Sequence, residues 1–315
     1  MPTPCLLMAY SRTLGISNLI SSLNPKDISR MYLSIDGAKS EEVYKIQSQI
    51  KVIVEDFCSK NSIPLRIWQR EVNLGLAKSI ITAVDWFYAN EDFGIVLEDD
   101  LVVSPDLFEF IEVNKKLLYT NQKLLLISGN QFYQRLDAKF SINWTNYPLI
   151  WGWATTSEKW LTMRHGILLY KIEKWRGIFN KVENFWRVGS MRVRSGQIDT
   201  WDIPLVLFML TTNHLCITPS LNLVSNQGND LYASHTLENV FPLNMTVSKL
   251  DEVKVTSPSS MIEISKYNQF LENKIFKIKF RHHFIYIYYL FFSHIFRSDK
   301  SNKLLESLAT IEIPD

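Results

Sequence analysis

Short apolar runs alternate with longer amphipathic stretches through the first 130 residues of the chain. The apolar runs predict five strands, at residues 5–10, 31–36, 65–70, 93–97 and 124–128. They are apolar throughout, as expected of strands whose two faces are both covered by helices. Apolar residues at helical spacing predict helices at 40–60, 74–88 and 105–118. The alternation predicts βαβ units, and therefore an α/β fold with a mostly parallel central sheet flanked by helices.

The pattern changes twice after this first part. From 131 to 245 the periodicity weakens and tryptophans become frequent, which favours a half of the domain made of loops and short helices. From 246 to 315 a polar, serine-rich stretch precedes the basic and aromatic run 277–297. We therefore expect a domain over 1–245, with halves 1–130 and 131–245, followed by a helical C-terminal tail over 246–315.

Composition narrows the classes of function. With 315 residues, 46% of them hydrophobic, the chain can bury a large α/β core plus an appendage. A formal charge of +2 gives no support for a protein that coats nucleic acid. Three widely spaced cysteines among apolar neighbours predict reduced core residues. The N-terminus lacks the basic-then-apolar layout of a secretory signal, so a cytoplasmic location is the expectation.

Three consecutive carboxylates, Glu98, Asp99 and Asp100, follow the fourth predicted strand. This concentration of negative charge is unfavourable unless something positive binds there. Mg²⁺ or Mn²⁺, which bind oxygen ligands and are often shared between carboxylates and substrate phosphates, are natural partners. The alternative is a solvated acidic turn before a helix. Ligands of open parallel sheets bind beyond the carboxyl ends of the strands, which favours the metal.

A second acidic candidate is Asp202, which lies beside Trp201 and before an apolar, helix-like segment. A partly desolvated aspartate suits a general base that accepts the proton of an acceptor hydroxyl. The alternative is a helix N-cap, because an acid followed by Pro204 is a good helix start. The two roles are compatible.

Polar residues follow three other predicted strands: Arg12 the first, Asp36 the second and Asn130 the fifth. A guanidinium and a carboxylate facing the same crevice suit a nucleotide, although each taken singly is more often a turn residue or a surface charge. Trp153 follows Gly152 and suits stacking on a sugar, with core packing as the alternative. His235 suits contact with a phosphate or a metal, with an ordinary loop histidine as the alternative.

Seven short motifs follow one another between residues 4 and 245. They are Tyr10-Ser11-Arg12-Thr13, Ser34-Ile35-Asp36-Gly37, the run from Val96 to Phe108, Gly152-Trp153, Thr200-Trp201-Asp202, Cys216-Ile217-Thr218-Pro219 and Ser234-His235. In this order they resemble the GT-A glycosyltransferases, and within them relatives of the Golgi N-acetylglucosaminyltransferase that starts complex N-glycans and bacterial glycosyltransferase family 2-like proteins. The resemblance implies a Rossmann-like GT-A domain whose half 1–130 binds a nucleotide-sugar and whose half 131–245 receives the acceptor.

The resemblance also implies roles for individual residues. Asp100 would be the metal ligand, with Mn²⁺ or Mg²⁺ as cofactor, and Asp202 the catalytic base of an inverting reaction. The donor, a UDP-sugar if Asp36 reads uracil, would be held by Arg12, Asp36, Glu98, Asp99, Asn130 and Lys78. Lys78-Ser79 stands where the family has a basic pair, and apolar residues follow Asp202 where polar and aromatic ones are expected. Trp153, Trp201 and His235 would contact the acceptor or belong to its loops.

The predicted function is a glycosyltransferase of hexosyl or N-acetylhexosaminyl type that acts on a glycan or lipid-linked acceptor in surface polysaccharide synthesis. The alternatives are a sugar-nucleotide nucleotidyltransferase, against which stands the lack of a Gly-rich phosphate loop, and a non-catalytic glycan-binding protein. In the tail, cations flank an apolar run too short to span a bilayer. That run suits either peripheral contact with an anionic inner leaflet or packing on the catalytic domain.

Overall fold

The computed structural model of the chain describes residues 1–132, 142–171, 180–228, 242, 244–248, 261–292 and 314, and of 261–263 and 289–292 the backbone alone. The strands of the described part are β1 Thr3–Ala9, β2 Ile28–Ile35, β3 Leu65–Gln69, β4 Phe93–Glu98, β5 Leu101–Val103, β6 Leu124–Ser128, β7 Ile142–Thr145, β8 Trp153–Thr156, β9 Leu215–Pro219 and β10 Val224–Asn226. All five strands predicted from the apolar runs are present, as β1, β2, β3, β4 and β6.

The helices follow the predicted alternation. They are α1 Thr13–Ser22, α2 Glu41–Lys60, α3 Leu76–Asn90, α4 Leu107–Thr120, α5 Ser157–Leu169, α6 Lys181–Arg194, α7 Asp202–Thr212, α8 Met261–Phe270 and α9 Arg281–Phe292. A 3₁₀ turn at Pro25–Asp27 and a π-helical turn at Leu271–Ile275 complete the described helical elements. The three predicted helices correspond to α2, α3 and α4, each within about two residues.

Eight of the described strands form one sheet in the order β3-β2-β1-β4-β8-β6-β9-β7. Pairing is parallel across β3, β2, β1 and β4 and between β6 and β9, whereas β8 and β7 run antiparallel to their neighbours. The predicted α/β class with a mostly parallel, helix-flanked sheet is therefore confirmed. The half 131–245, expected to consist of loops and short helices, contributes three strands of this sheet as well as helices. Strand β8 was not predicted because it is buried on both faces and so shows no alternation in sequence.

Two apolar layers cover the sheet. On one face, α1, α2 and α4 pack residues such as Leu19 and Ile50 against Leu7 of β1. On the other face, α3, α5 and α7 pack residues such as Ile81 against Leu6. Adjacent residues of β1 thus enter opposite cores, as the period of a strand requires. The three cysteines are free and buried, as predicted.

The part of the tail described at 261–292 is helical and packs on the domain. The α9 helix lies against α6, where the Asn184 amide nitrogen is 2.9 Å from Nδ1 of His283 and the Arg187 guanidinium lies over the Tyr286 ring. Tyr286 and His283 are buried, so one face of α9 belongs to the fold. Within the described ranges, no helix has both the length and the apolar character that crossing a bilayer requires.

A buried arginine fixes the edge of the sheet next to the site described below. Arg70, directly after β3, donates to the Ser34 hydroxyl at 2.9 Å, to the Ser79 carbonyl at 3.1 Å and to the Thr82 hydroxyl at 2.8 Å. Burial lowers its pKa to about 10, while the charge of Asp36 raises it. The guanidinium therefore remains charged at neutral pH and joins β2 to α3.

We expect Arg70→Ala to lower the free energy of unfolding by about 2–4 kcal/mol, because three buried polar groups lose their donor. Urea denaturation measures this as a lower midpoint with an unchanged slope. Arg66→Ala, on the exposed side of the same strand, is the matched control and should change stability by less than about 0.5 kcal/mol. Equal destabilisation by both variants would contradict the role assigned to Arg70.

Candidate active site

The site lies where three neighbouring strands end at one edge of the sheet. Ala9 of β1 is opposite Ile35 of β2, and Met8 is opposite Glu98 of β4. The residues that follow these strands, including Arg12, Asp36 and the acidic triplet, therefore emerge at the same edge. The convergence expected from the parallel pattern is present.

The acidic triplet forms a tight turn between β4 and β5, and Arg12 binds it. The Arg12 Nη1 atom lies 3.2 Å from Oδ1 of Asp99 and 3.3 Å from Oδ2 of Asp100. The Tyr10 amide donates to Oδ2 of Asp99 at 2.9 Å. Arg12, which the resemblance assigns to the donor nucleotide, thus binds Asp99, a predicted donor contact, and Asp100, the predicted metal ligand.

Charge repulsion within the triplet remains large despite Arg12. Burial raises the pKa of Glu98 well above its usual range, and the carboxylates of Asp100, Asp99 and Asp202 raise it further. Burial and the charge of Asp99 likewise raise the pKa of Asp100, against the opposing effect of Arg12. A positive ligand at this turn would relieve the repulsion.

Asp202 belongs to the same electrostatic site, although about a hundred residues separate it from the triplet. It is the first residue of α7, and its Oδ1 accepts hydrogen bonds from the Thr200 hydroxyl and, at 2.8 Å, from the Ile203 amide. Trp201, rather than Asp202, occupies the N-cap position. The carboxylate therefore satisfies the helix start from inside the first turn and still influences the pKa of Glu98.

The turn is held from its other side by a segment that the sequence did not single out. Strand β10 pairs with β5, and the Gln227 amide donates to the Asp100 carbonyl at 2.7 Å. The Asn226 side chain bonds the Asp100 carboxylate and lowers its pKa. A β-carbon on Gly228 would lie 2.6 Å from Oδ2 of Asp100, so only glycine fits there without displacement. The polar end of β10 was the available signal, but its pairing with β5 is not visible in sequence.

One carboxylate oxygen of the turn is suited to a cation. Oδ1 of Asp100 is buried and accepts no hydrogen bond among the described residues. A buried oxygen of this kind fits a hard divalent ion that takes one or two protein carboxylates and completes its shell with phosphate and water. Across the described ranges, no three His, Cys, Asp or Glu side chains stand together as a metal cage.

A cavity of about 730 Å³ borders Asp202 on the side toward the tail. Most of its wall is apolar and comes from α6, α7, α9 and the segment before β8. The polar side chains in its lining are Asn130, Arg192, Thr200, Asp202 and His282. Asn130 is 1% exposed, and its Nδ2 has no hydrogen-bond partner within the described residues, while its Oδ1 accepts from the Ser128 hydroxyl. Asn130 therefore lies on the Asp202 side of the site.

The aromatic predictions need correction. Trp153 and Trp201 are 1% and 2% exposed, and their ring centroids lie 5.8 Å apart in the core beside Trp160. Neither ring presents a face to a sugar, because packing between the sheet and α5 and α7 covers both. The tryptophans that line the cavity are Trp151 and Trp186. His235 lies outside the described residues.

Asp36 and Lys78 lie at the outer part of the edge. The Asp36 carboxylate accepts the Leu74 amide at 3.0 and 3.2 Å, and burial raises its pKa while these backbone bonds lower it. Asp36 thus already anchors the loop before α3. Lys78 lies half-buried in the first turn of α3. Both residues therefore lie near the strand ends.

Asp199 joins the two halves of the site, and the sequence did not assign it a role. Its Oδ2 accepts the Leu76 amide at 2.8 Å and its Oδ1 the Ala77 amide at 3.0 Å, so it caps the start of α3. It stands three residues before Asp202. The cap therefore ties the segment that carries Asp202 to a helix that packs on the first half of the sheet.

No family model and no curated protein matches the chain. Among solved structures, the crystal structure of S. aureus TarS 1–349 matches with 12% identity and a TM-score of 0.43, over 72% of this chain and 61% of the other. UDP-glucose pyrophosphorylase complexed with UDP-glucose matches with 8% identity and a TM-score of 0.35, over 70% and 91%. The chain thus spans less than two thirds of the first structure. At these TM-scores the matches carry no weight for the chemistry of the site.

We expect Asp199→Ala to increase hydrogen exchange at the amides of Leu76 and Ala77 and to lower stability by about 1 kcal/mol, because an N-cap is lost. Hydrogen-exchange mass spectrometry of peptides that span the start of α3 measures the effect. Asp56→Ala, which removes an exposed carboxylate from α2, is the control. Unchanged exchange at the start of α3 would contradict the cap.

Proposed function

We propose that the protein is a metal-dependent, inverting glycosyltransferase of the GT-A class that uses a nucleotide-sugar, with UDP as the nucleotide. The observation that supports this most directly is that the charge of Asp202 acts on Glu98 of the acidic turn, although about a hundred residues separate the two along the chain. An acidic metal site beside a separate carboxylate on an apolar cavity is what such a transfer requires.

In this proposal the acidic turn holds the donor. Asp100 would hold Mn²⁺ or Mg²⁺ through its Oδ1, which is buried and has no donor in the described part of the chain. When bound, the ion supplies positive charge that stabilises the diphosphate leaving group. Glu98, Asp99, Arg12, Asp36 and Lys78 would contact the nucleotide and its sugar, and Arg12 binds two of the acids.

Asp202 would act as the base. The acceptor oxygen forms a bond to the anomeric carbon, the bond from that carbon to the diphosphate breaks with its electron pair, and the acceptor proton moves to Asp202. The two hydrogen bonds to Oδ1 orient the carboxylate, and its position on the cavity wall places it toward an incoming acceptor. Attack from the cavity side, opposite the diphosphate, inverts the anomeric centre.

The acceptor, in this proposal, is a glycan or lipid-linked glycan of surface polysaccharide synthesis, reached at the cytoplasmic face of a membrane, and the sugar is a hexose or an N-acetylhexosamine. The outer face of the tail supports the membrane contact. Phe280, Phe284 and Tyr288 of the tail are 64%, 60% and 56% exposed and follow one another at helical spacing. Exposed cations stand next to them at Lys274, Lys277, Lys279 and Arg281. Aromatic rings bordered by cations suit the headgroup region of an anionic bilayer.

We expect Asp100→Asn to abolish Mn²⁺-dependent UDP binding, since it removes the charge that holds the ion. Asp202→Asn, which keeps the oxygen that accepts the Ile203 amide, should leave UDP binding within about twofold while lowering the turnover of a UDP-sugar about 10²–10⁴-fold. Titration calorimetry with UDP and Mn²⁺, and release of UDP from a panel of UDP-sugars, measure the two effects.

Glu109→Gln, an exposed carboxylate on α4, is the matched control and should change neither quantity. Undiminished metal-dependent UDP binding in the Asp100 variant would remove the metal assignment. Failure of the wild-type protein to release UDP from every sugar nucleotide of the panel would count against a transferase. Formation of UTP from UDP-sugar and pyrophosphate would instead indicate a nucleotidyltransferase.

We expect the triple variant Lys277→Glu, Lys279→Glu, Arg281→Glu to bind vesicles of phosphatidylglycerol at least about two orders of magnitude more weakly than the wild type, given about 1 kcal/mol per cation near an anionic surface. Co-sedimentation at two salt concentrations is the measurement. The control reverses the same number of exposed lysines elsewhere, at Lys26, Lys45 and Lys60. Equal loss in both triple variants would show that net charge, rather than the tail, governs binding.

A further inference from the structure

We propose that the apolar cavity beside Asp202 binds the hydrocarbon chain of the acceptor, so that the substrate is an alkyl or isoprenyl glycan whose chain lies between α6 and the tail. This inference rests on the proposed transferase function for the identity of its ligand, and on the geometry of the cavity for the site itself. It assigns a binding role to α6 and α9 beyond packing.

The size and the lining of the cavity indicate an apolar ligand. Its volume of about 730 Å³ falls within the range of small-molecule sites. Its side walls are formed by apolar side chains that include Leu149, Phe185, Val188, Ile203 and Val206. A free sugar, with a hydroxyl on nearly every carbon, would lose hydrogen bonds to water against such walls without replacement. A hydrocarbon chain gains free energy there.

Polar atoms in the lining indicate how the ligand is oriented. The Nδ2 of Asn130 is buried without a partner among the described residues, although the side chain lines the cavity. Such a donor costs free energy unless a ligand oxygen accepts from it. Asp202 and Thr200 line the same cavity, joined by a hydrogen bond. A glycan hydroxyl bound here can bond Asn130 and present its proton to Asp202.

The cavity also reaches the surface of the tail. Ile285 lines it and is 40% exposed, and it precedes Tyr286, which is buried against α6. Phe284, on the exposed aromatic face, is its other neighbour. A chain that leaves a bilayer along this face can therefore enter at Ile285 and run toward Asp202 along a lining that is mostly apolar.

The test measures how affinity depends on chain length. Methyl, hexyl, octyl and decyl β-D-glucosides, each below its micelle concentration, are titrated calorimetrically into the full-length protein without donor or metal. We expect affinity to rise by up to about fourfold per methylene, the factor that corresponds to about 0.8 kcal/mol per buried CH₂, with a gain of at least about tenfold from hexyl to octyl. A difference below about twofold would overturn the proposal.

Variants locate the chain. Val188 is half-buried on α6 and lines the cavity, so Val188→Trp should fill the site and remove the chain-length dependence. Val188→Asp, which leaves the volume open but adds a charge, should do the same. Leu161→Trp, on the exposed face of α5, is the matched control and should retain wild-type dependence. If both Val188 variants retain it while Phe284→Ser removes it, the chain lies on the outer face of α9 and the proposal is wrong.

Two further arms separate the ligand sources and the two proposals. Binding of dihexanoylphosphatidylglycerol, with no chain-length dependence among the glucosides, would show a membrane-lipid site and overturn the acceptor assignment. Release of UDP without chain-length dependence would leave the transferase proposal intact and remove this one. If the protein releases no UDP but shows a chain-length dependence that the Val188 variants lose, the hydrocarbon site is supported and its role in the transferase reaction is excluded.

Discussion

Repulsion among three adjacent carboxylates is the interaction around which the rest of the site is arranged. Glu98, Asp99 and Asp100 end a strand that is buried on both faces, so their charges are poorly screened by water. The fold supplies one guanidinium, from Arg12, and the backbone amide of Tyr10. These partners hold the turn in place, but one buried oxygen of Asp100 has no donor among the residues that the structure describes. In the proposed function this oxygen would hold a cation that arrives with the substrate.

Several elements of the fold pack around the acidic turn and hold it in place. Helix α1 begins directly after β1 and brings Gly15 so close to the turn that a β-carbon would meet the Asp99 carbonyl at 2.1 Å. The short strand β10 closes the other side with Asn226 and Gly228. Arg70 fixes the neighbouring edge from within. The acidic turn is therefore held from two sides, by α1 and by the end of β10, and the neighbouring edge of the sheet is held by Arg70.

The surroundings of Asp202 are polar on the side of the acidic turn and mostly apolar on the side of the cavity. The acidic turn surrounds a space suited to phosphates, whereas α6, α7 and α9 surround a space suited to hydrocarbon. Asp199, three residues before Asp202, ties the start of α3 to the segment that carries Asp202. In the proposed reaction this boundary is the place where donor and acceptor meet. The tail completes the apolar side, so its helical packing is part of the site.

The sequence by itself determined the local features. Apolar runs predicted β1, β2, β3, β4 and β6. The rule that ligands bind beyond the carboxyl ends of parallel strands located the acidic turn. Both inferences were possible because they depend only on residues near in sequence. Strand β8 and its antiparallel insertion escaped notice, since a short buried strand has no distinctive period. Trp153 and Trp201, assigned by resemblance to acceptor contacts or loops, lie in the core, because composition does not tell a stacking ring from a core ring.

Only the tertiary structure decided which distant residues meet. The electrostatic effect of Asp202 on Glu98, the clamp by Asn226 and Gly228, the cap by Asp199 and the cavity under the tail all join residues that lie far apart along the chain. Such contacts depend on the strand order and on helix packing, which no local pattern encodes. The acidic turn was readable from sequence because its residues are consecutive, whereas its surroundings required the fold.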